Sequence, residues 1–192
     1  GIISFAEQAK ADGRIRHLGF SFHDSLDVFK DILYGYDGWE FCQLQLNYMD
    51  VNYQAGMEGL RLAHERGLAV VVMEPLRGGK LVSHLPESAK KIFAEYPVQH
   101  TPAQWAFRWL WNQPEVTVVL SGMNSLAMVE ENCRTADTAE AGEFTAEDDA
   151  LIAKIKELIN AKIKVPCTGC AYCMPCPHGV DIPGAFRCYN EM

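Results

Sequence analysis

The chain has 192 residues, 48% hydrophobic and 22% charged, which is enough apolar material to bury a core and enough length for one domain with a small appendage. Its net charge of −8 argues against nucleic acid, because phosphate binding draws on clustered Lys and Arg. No apolar run approaches the length of a membrane span, and there is no basic-then-apolar leader at the start, although Gly1 reads as the middle of a helix and a true N-terminus would lie upstream.

In chain order, short apolar runs alternate with amphipathic stretches. Strands are expected over Ile15–Phe22, Phe41–Asn47, Leu68–Met73 and Val116–Ser121, each followed by a helix. Leu68–Met73 is apolar without alternation, the pattern of a strand buried on both faces of a parallel sheet. The helix over 55–66 closes at Gly67, and Thr101-Pro102-Ala103-Gln104 supplies an N-cap, a first-turn proline and a capping-box partner. A further helix fits Glu87–Glu95, and Trp105, Phe107, Trp109 and Trp111 read as packing. The acidic stretch Ala136–Asp149 reads as a solvated connection. It leads into an amphipathic helix bearing Leu151, Ile152, Ile155, Leu158 and Ile159, expected to dock on the barrel.

Repeated β/α units in this register fit either an open doubly wound sheet or part of an eight-stranded barrel. No G-x-G-x-x-G follows a strand and no phosphate loop of the G-x4-G-K type is present. Arg77-Gly78-Gly79-Lys80 is the only glycine-rich turn with basic neighbours.

The C-terminal region carries the sharpest chemistry: Cys167, Cys170, Cys173 and Cys176 at a three-residue pitch, closing in Cys176-Pro177. Thiolates so spaced can converge on one metal centre, and the run resembles the cluster-binding run of bacterial ferredoxins, with two residues instead of three before the last cysteine. Zinc and a disulfide framework are the alternatives. Zinc sites usually pair two C-x2-C units across a spacer, and seven cysteines form no secreted-scaffold pattern. A reducing, cytoplasmic setting follows. Cys42 and Cys133 read as inert, buried or half-buried thiols, and Cys188 as incidental more readily than as a spare ligand.

The segments Ala11–Ser21, Cys42–Tyr48, Met73–Gly79 and Val118–Gly122, with Glu130-Glu131-Asn132, resemble the second half of the aldo-keto reductase barrel, in the branch with a C-terminal ferredoxin-like 4Fe-4S appendage. The resemblance implies an α/β fold: the second half of a (β/α)8 TIM-type barrel, about four β/α units, then a small Cys-rich segment. It places the half-barrel at 1–140, a connecting amphipathic helix at 141–164 and a truncated ferredoxin-like segment at 165–192. It implies an NAD(P)H-dependent oxidoreductase acting on a small carbonyl or alcohol, with an iron-sulfur cluster and a redox partner; charge and composition add the expectation of no nucleic-acid or membrane partner.

Residue by residue, the resemblance implies that Ser21 and Gln43 hold the nicotinamide carboxamide, with Phe22 where the family has Asn and Met73 where it stacks an aromatic ring. It assigns the pyrophosphate to Pro75, Leu76, Gly78 and Gly79, and the adenine end to Glu131 and Asn132. Basic partners of a 2′-phosphate fall on Gly122 and Met128, which carry no charge. The family's Tyr, Lys, Asp and His acid-base set lies on the first four strands, and no segment matches it. Tyr48, Tyr53 and Tyr96 lie in other contexts. The chain is thus expected to be a fragment of a longer enzyme. The alternative is a non-catalytic iron-sulfur electron-transfer or structural scaffold on a degenerate barrel.

Overall fold

A computed structural model describes residues 1–167, 169 and 171–191, and forms two compact units. The first comprises Gly1–Pro75 with Ala106–Glu143, and the second begins at Leu76–Trp105 and resumes at Phe144.

The first unit is built on a parallel sheet of four strands in sequential order: β1 (Gly19–Ser21), β2 (Phe41–Gln45), β3 (Ala69–Met73) and β4 (Val118–Val119). Around it run α1 (Ile2–Ala11), α2 (Leu26–Gly35), α3 (Gly56–Glu65), the C-terminal part of α6 (Pro102–Trp111) and α7 (Leu126–Thr138). Successive strand residues face opposite ways. Cys42, Leu44, Val70 and Val72 point one way and have no exposed surface, joining Phe29, Leu33, Leu60, Ala63 and Leu110 in the core. Gln43, Val71 and Met73 point the other way and are only half-buried. The two-sided burial expected of β3 therefore holds on the helix-covered face alone.

The edge strands are shorter than their apolar runs. β1 occupies three residues of Ile15–Phe22, and β4 two of Val116–Ser121. Each pairs on one side, and the Val70 N–H is taken by the Thr117 hydroxyl at 3.0 Å instead of continuing the ladder. Gly19 is required where β1 meets β2: a Cβ there would lie 2.6 Å from the Phe41 ring. Gly67, at φ +76°, ends α3 as expected, with its N–H on the His64 carbonyl and that of Leu68 on Ala63.

The second unit is helical: a single turn α4 (Lys80–Ser83), α5 (Glu87–Glu95), α8 (Ala146–Asn160) and α9 (Ile182–Glu191). Ala89 and Phe93 of α5 are buried, as are Leu151, Ile152, Ile155 and Ile159 of α8, and the two helices pack together. Within this unit α8 packs on α5. Trp105 is buried among Phe93, Tyr96, His100 and Phe144.

The acidic stretch is shorter as a connection than its composition suggests. Helix α7 runs to Thr138, and Thr145 and Asp148 form a capping box that starts α8 at Ala146. The acidic residues Glu147, Asp148 and Asp149 stand in the first turn, where the helix dipole favours negative charge. Cys133 is an exposed residue within α7, not the half-buried thiol expected, because it lies off the packed side that buries Thr135.

Candidate functional site

Three adjacent strands bring their C-terminal ends together in the first unit. The register sets Ser21 beside Gln43 and Gln45 beside Met73, so Ser21, Gln43 and Met73 converge on one sheet face. The Gln43 side-chain amide donates to the Ser21 hydroxyl at 3.5 Å and approaches the Met73 sulfur at 3.3 Å. Ser21 is exposed, and the other two are half-buried, so this face presents an amide, a hydroxyl and a thioether to an approaching ligand.

Phe22 points away from that group. It is 3% exposed and meets Phe29 edge-on at 5.1 Å. With its side chain in the helix-facing core, it contributes packing and leaves Ser21 as the polar group at the strand end.

Behind Gln43 lies a buried polar network that sequence reasoning did not single out. Gln45 and Asn47 side chains both donate to Asp50 Oδ2 at 3.0 Å, and Asn47 also donates to the Glu74 carbonyl at 3.2 Å. The Asn47 Oδ1 accepts from the backbone N–H groups of Met49 and Asp50. Together these bonds fix the loop after β2 to the end of β3, where Glu74 has φ +54°. The signal was present: Gln43, Gln45 and Asn47 recur at every second residue of an apolar strand, on one face.

Tyr48 has no place in this polar face. Its ring is wholly buried, its hydroxyl has no hydrogen-bond partner among the described residues, and burial pushes the phenol well above its ordinary value. Burial likewise pushes the Cys42 thiol up to about 12, the mark of an inert core cysteine.

At the far edge of the first unit, Asn132 donates to the Ser121 hydroxyl at 3.2 Å, which ties α7 to the end of β4. Glu131 is half-buried beside it in sequence, while Gly122 and Met128 are exposed. The Met128 N–H is capped by Ser125 at 3.3 Å.

The glycine-rich turn has a specific backbone. Arg77, Gly78 and Gly79 follow one another at φ +51°, +65° and +83°, a left-handed run that ends in α4. Among the described residues nothing lies within 4 Å of a Cβ built on Gly78 or Gly79, which leaves their backbone open to a ligand there. Pro75 and Arg77 are buried, and Leu76 is half-buried.

In the tail, Cys167 and Cys176 are half-buried, Cys173 and Cys188 exposed, and all four are free thiols. Among the described residues, no group of three or more His, Cys, Asp or Glu is gathered as a metal site. Cys170, named from sequence as a ligand, lies outside them. The Lys80 ammonium donates to the Cys167 carbonyl at 3.3 Å. Among the described residues, no helix is long and apolar enough to cross a membrane.

The model of the aldo/keto reductase family matches residues 2–157. The fold is similar to an aldo-keto reductase from Bacillus halodurans in its holo form, at 24% identity and TM-score 0.62, over 78% of this chain and 53% of that one. It is also similar to an aldo-keto reductase from Klebsiella pneumoniae solved in complex with NADPH, at 20% identity and TM-score 0.59, over 78% and 51%. A third similar structure is an aldose reductase from Giardia lamblia, at 17% identity and TM-score 0.59, over 79% and 48%. At these identities the likeness carries the fold, and the chain spans about half the length of the solved relatives it matches. No curated protein matches the chain.

Proposed function

The chain belongs to the aldo/keto reductase family, and from that membership we propose that it forms the nicotinamide-dinucleotide-binding part of an oxidoreductase for small carbonyl or alcohol substrates. The observation that carries this reading is the convergence of Ser21, Gln43 and Met73 at the C-terminal ends of adjacent parallel strands, the end at which barrels place their chemistry.

Bound there, the nicotinamide ring would supply hydride chemistry. Gln43 and Ser21 orient it, because an amide and a hydroxyl can satisfy both ends of a carboxamide. Met73 packs against the flat ring through its polarizable sulfur. The buried Gln45–Asn47–Asp50 network is the support that keeps the strand end in place. The open backbone of Gly78 and Gly79, with Pro75 and Leu76, receives the pyrophosphate, and Glu131 and Asn132 hold the adenine end. Gly122 and Met128 offer no charge to a 2′-phosphate.

The tail is read as a ferredoxin-like segment of residues 165–192, following a connecting helix at 141–164 and a half-barrel at 1–140. Cys167, Cys170, Cys173 and Cys176 would hold a 4Fe-4S cluster. The support is the chemistry of the donor set: soft thiols at a fixed pitch, the described ones without disulfides. A cluster supplies one-electron transfer, which suits a protein partner able to deliver or accept electrons. The cytoplasm, which keeps thiols reduced, is the compartment that matches.

Fluorescence titration of the chain with NADH tests the dinucleotide reading. Saturable binding that weakens about tenfold in Gln43→Ala is expected, equivalent to the loss of one hydrogen-bonded contact of about 1.4 kcal/mol. Absence of saturable binding by a folded chain would overturn it.

A further inference from the structure

Glu74 is half-buried, yet its carboxylate has no ion pair or hydrogen bond among the described residues. It follows Met73 directly, at the strand ends where Ser21 and Gln43 also stand. Its backbone lies at φ +54°, a region that a residue with a Cβ rarely adopts, and the Asn47 amide holds its carbonyl there at 3.2 Å. Partial burial and backbone conformation both count against a lone carboxylate at this position. An unfavourable group kept at a site is the mark of one directed at a ligand. We propose that Glu74 is a specificity-determining residue that distinguishes the two oxidation states of the cofactor, favouring the cationic, oxidised nicotinamide over the neutral, reduced ring. This inference rests on the dinucleotide reading above.

The side chains already placed at the ring do not make that distinction. Ser21 and Gln43 meet the carboxamide, which both forms of the ring share, and the Met73 thioether packs against either. The two forms differ by one unit of charge: when hydride leaves the reduced ring with its electron pair for the substrate, a cation remains. Only a charged neighbour senses that difference. Asp50, another carboxylate of these strand ends, is engaged by the Gln45 and Asn47 amides, and Asp24 stands exposed on the loop after β1 with one oxygen on the Ser25 N–H. Glu74 is the carboxylate left for the ring. Its half-buried setting strengthens the attraction beyond its value in bulk water. By holding the oxidised form more tightly, Glu74 makes the bound reduced form a stronger hydride donor.

Fluorescence titration of the 192-residue chain with NAD+ and NADH tests this, in the parent, in Glu74→Gln and in Glu74→Gly. Glutamine removes the charge and keeps the shape, whereas glycine removes the charge and suits φ +54°, so the second variant reads the effect even where the first is unstable. Both neutral variants should weaken NAD+ relative to NADH by about threefold or more. Glu65→Gln, exposed at the end of α3, should leave the ratio unchanged. A ratio that stays within about twofold of the parent in both Glu74 variants, or an equal loss of both cofactors, would overturn the assignment and leave the dinucleotide reading in place. Saturable binding of neither cofactor by the folded parent would remove the dinucleotide reading and this inference with it.

Discussion

The Gln43 amide nitrogen lies 3.3 Å from the Met73 sulfur and 3.5 Å from the Ser21 hydroxyl, so one side chain joins the ends of three parallel strands. The contact to the hydroxyl is long and a thioether is a weak acceptor, so a ligand carboxamide can replace both at little cost. Met73→Tyr should therefore tighten NADH binding by about 0.5–1.5 kcal/mol through ring stacking, while Gln43→Glu should weaken it by setting a charged acceptor where a donor is needed. Equilibrium fluorescence titration measures both. A tighter Gln43→Glu variant would remove the carboxamide assignment.

Cofactor preference turns on Gly122 and Met128. With no cation at either position, NADH should bind at least as well as NADPH, and Met128→Arg should raise NADPH affinity selectively, since the Met128 side chain is exposed at the start of α7. A parent preference for NADPH of tenfold or more, about 1.4 kcal/mol, would show that another cation serves the 2′-phosphate.

Periodicity made the repeating units legible because the strands bury one continuous apolar set and α3 and α6 carry clear stop or start residues. Ser21 and Gln43 were also legible, and register brings them together. Strand length was not. Pairing partners end a strand, and the use of the Thr117 hydroxyl by the Val70 N–H leaves no pattern in composition. Phe22 looked like a damaged polar pair, whereas its ring fills the core against Phe29.

The first unit also depends on a partly buried ion pair. Arg108 Nη1 donates to both carboxylate oxygens of Glu143, at 2.8 and 2.9 Å, and the same guanidinium reaches the Thr138 carbonyl and hydroxyl. With the Arg108 side chain 12% exposed, Glu143→Gln leaves a desolvated cation without its counter-charge. A loss of about 1–3 kcal/mol in urea denaturation is expected. A change below about 0.5 kcal/mol would place the pair with ordinary surface contacts.

Acid sensitivity should have a defined source at Glu40. Hydrogen bonds from Lys10 and then His17 hold its carboxyl at about 2, below the ordinary 4.5. Because the folded value is depressed, the stabilisation is fully present above about 4.5 and is lost as pH falls toward 2. Melting temperatures of the parent should drop across that window more steeply than those of Glu40→Gln. Parallel curves would show that the contact contributes nothing to folding.

The cysteine run makes the last prediction. Closely spaced soft thiolates favour iron and sulfide over zinc, and the Cys176-Pro177 ending follows the ferredoxin pattern. In two-cluster ferredoxins the fourth cysteine of such a run serves the other cluster, so Cys167, Cys170 and Cys173 would here need Cys176, or less readily the exposed Cys188, to complete one site. After anaerobic reconstitution, Ser substitution at each of the five should abolish or alter the cluster at the first four positions and leave it intact at Cys188. Iron and sulfide content, with electron paramagnetic resonance after reduction, reads the result. Full cluster content in Cys170→Ser, or stoichiometric zinc without sulfide in anaerobically isolated protein, would sink the assignment.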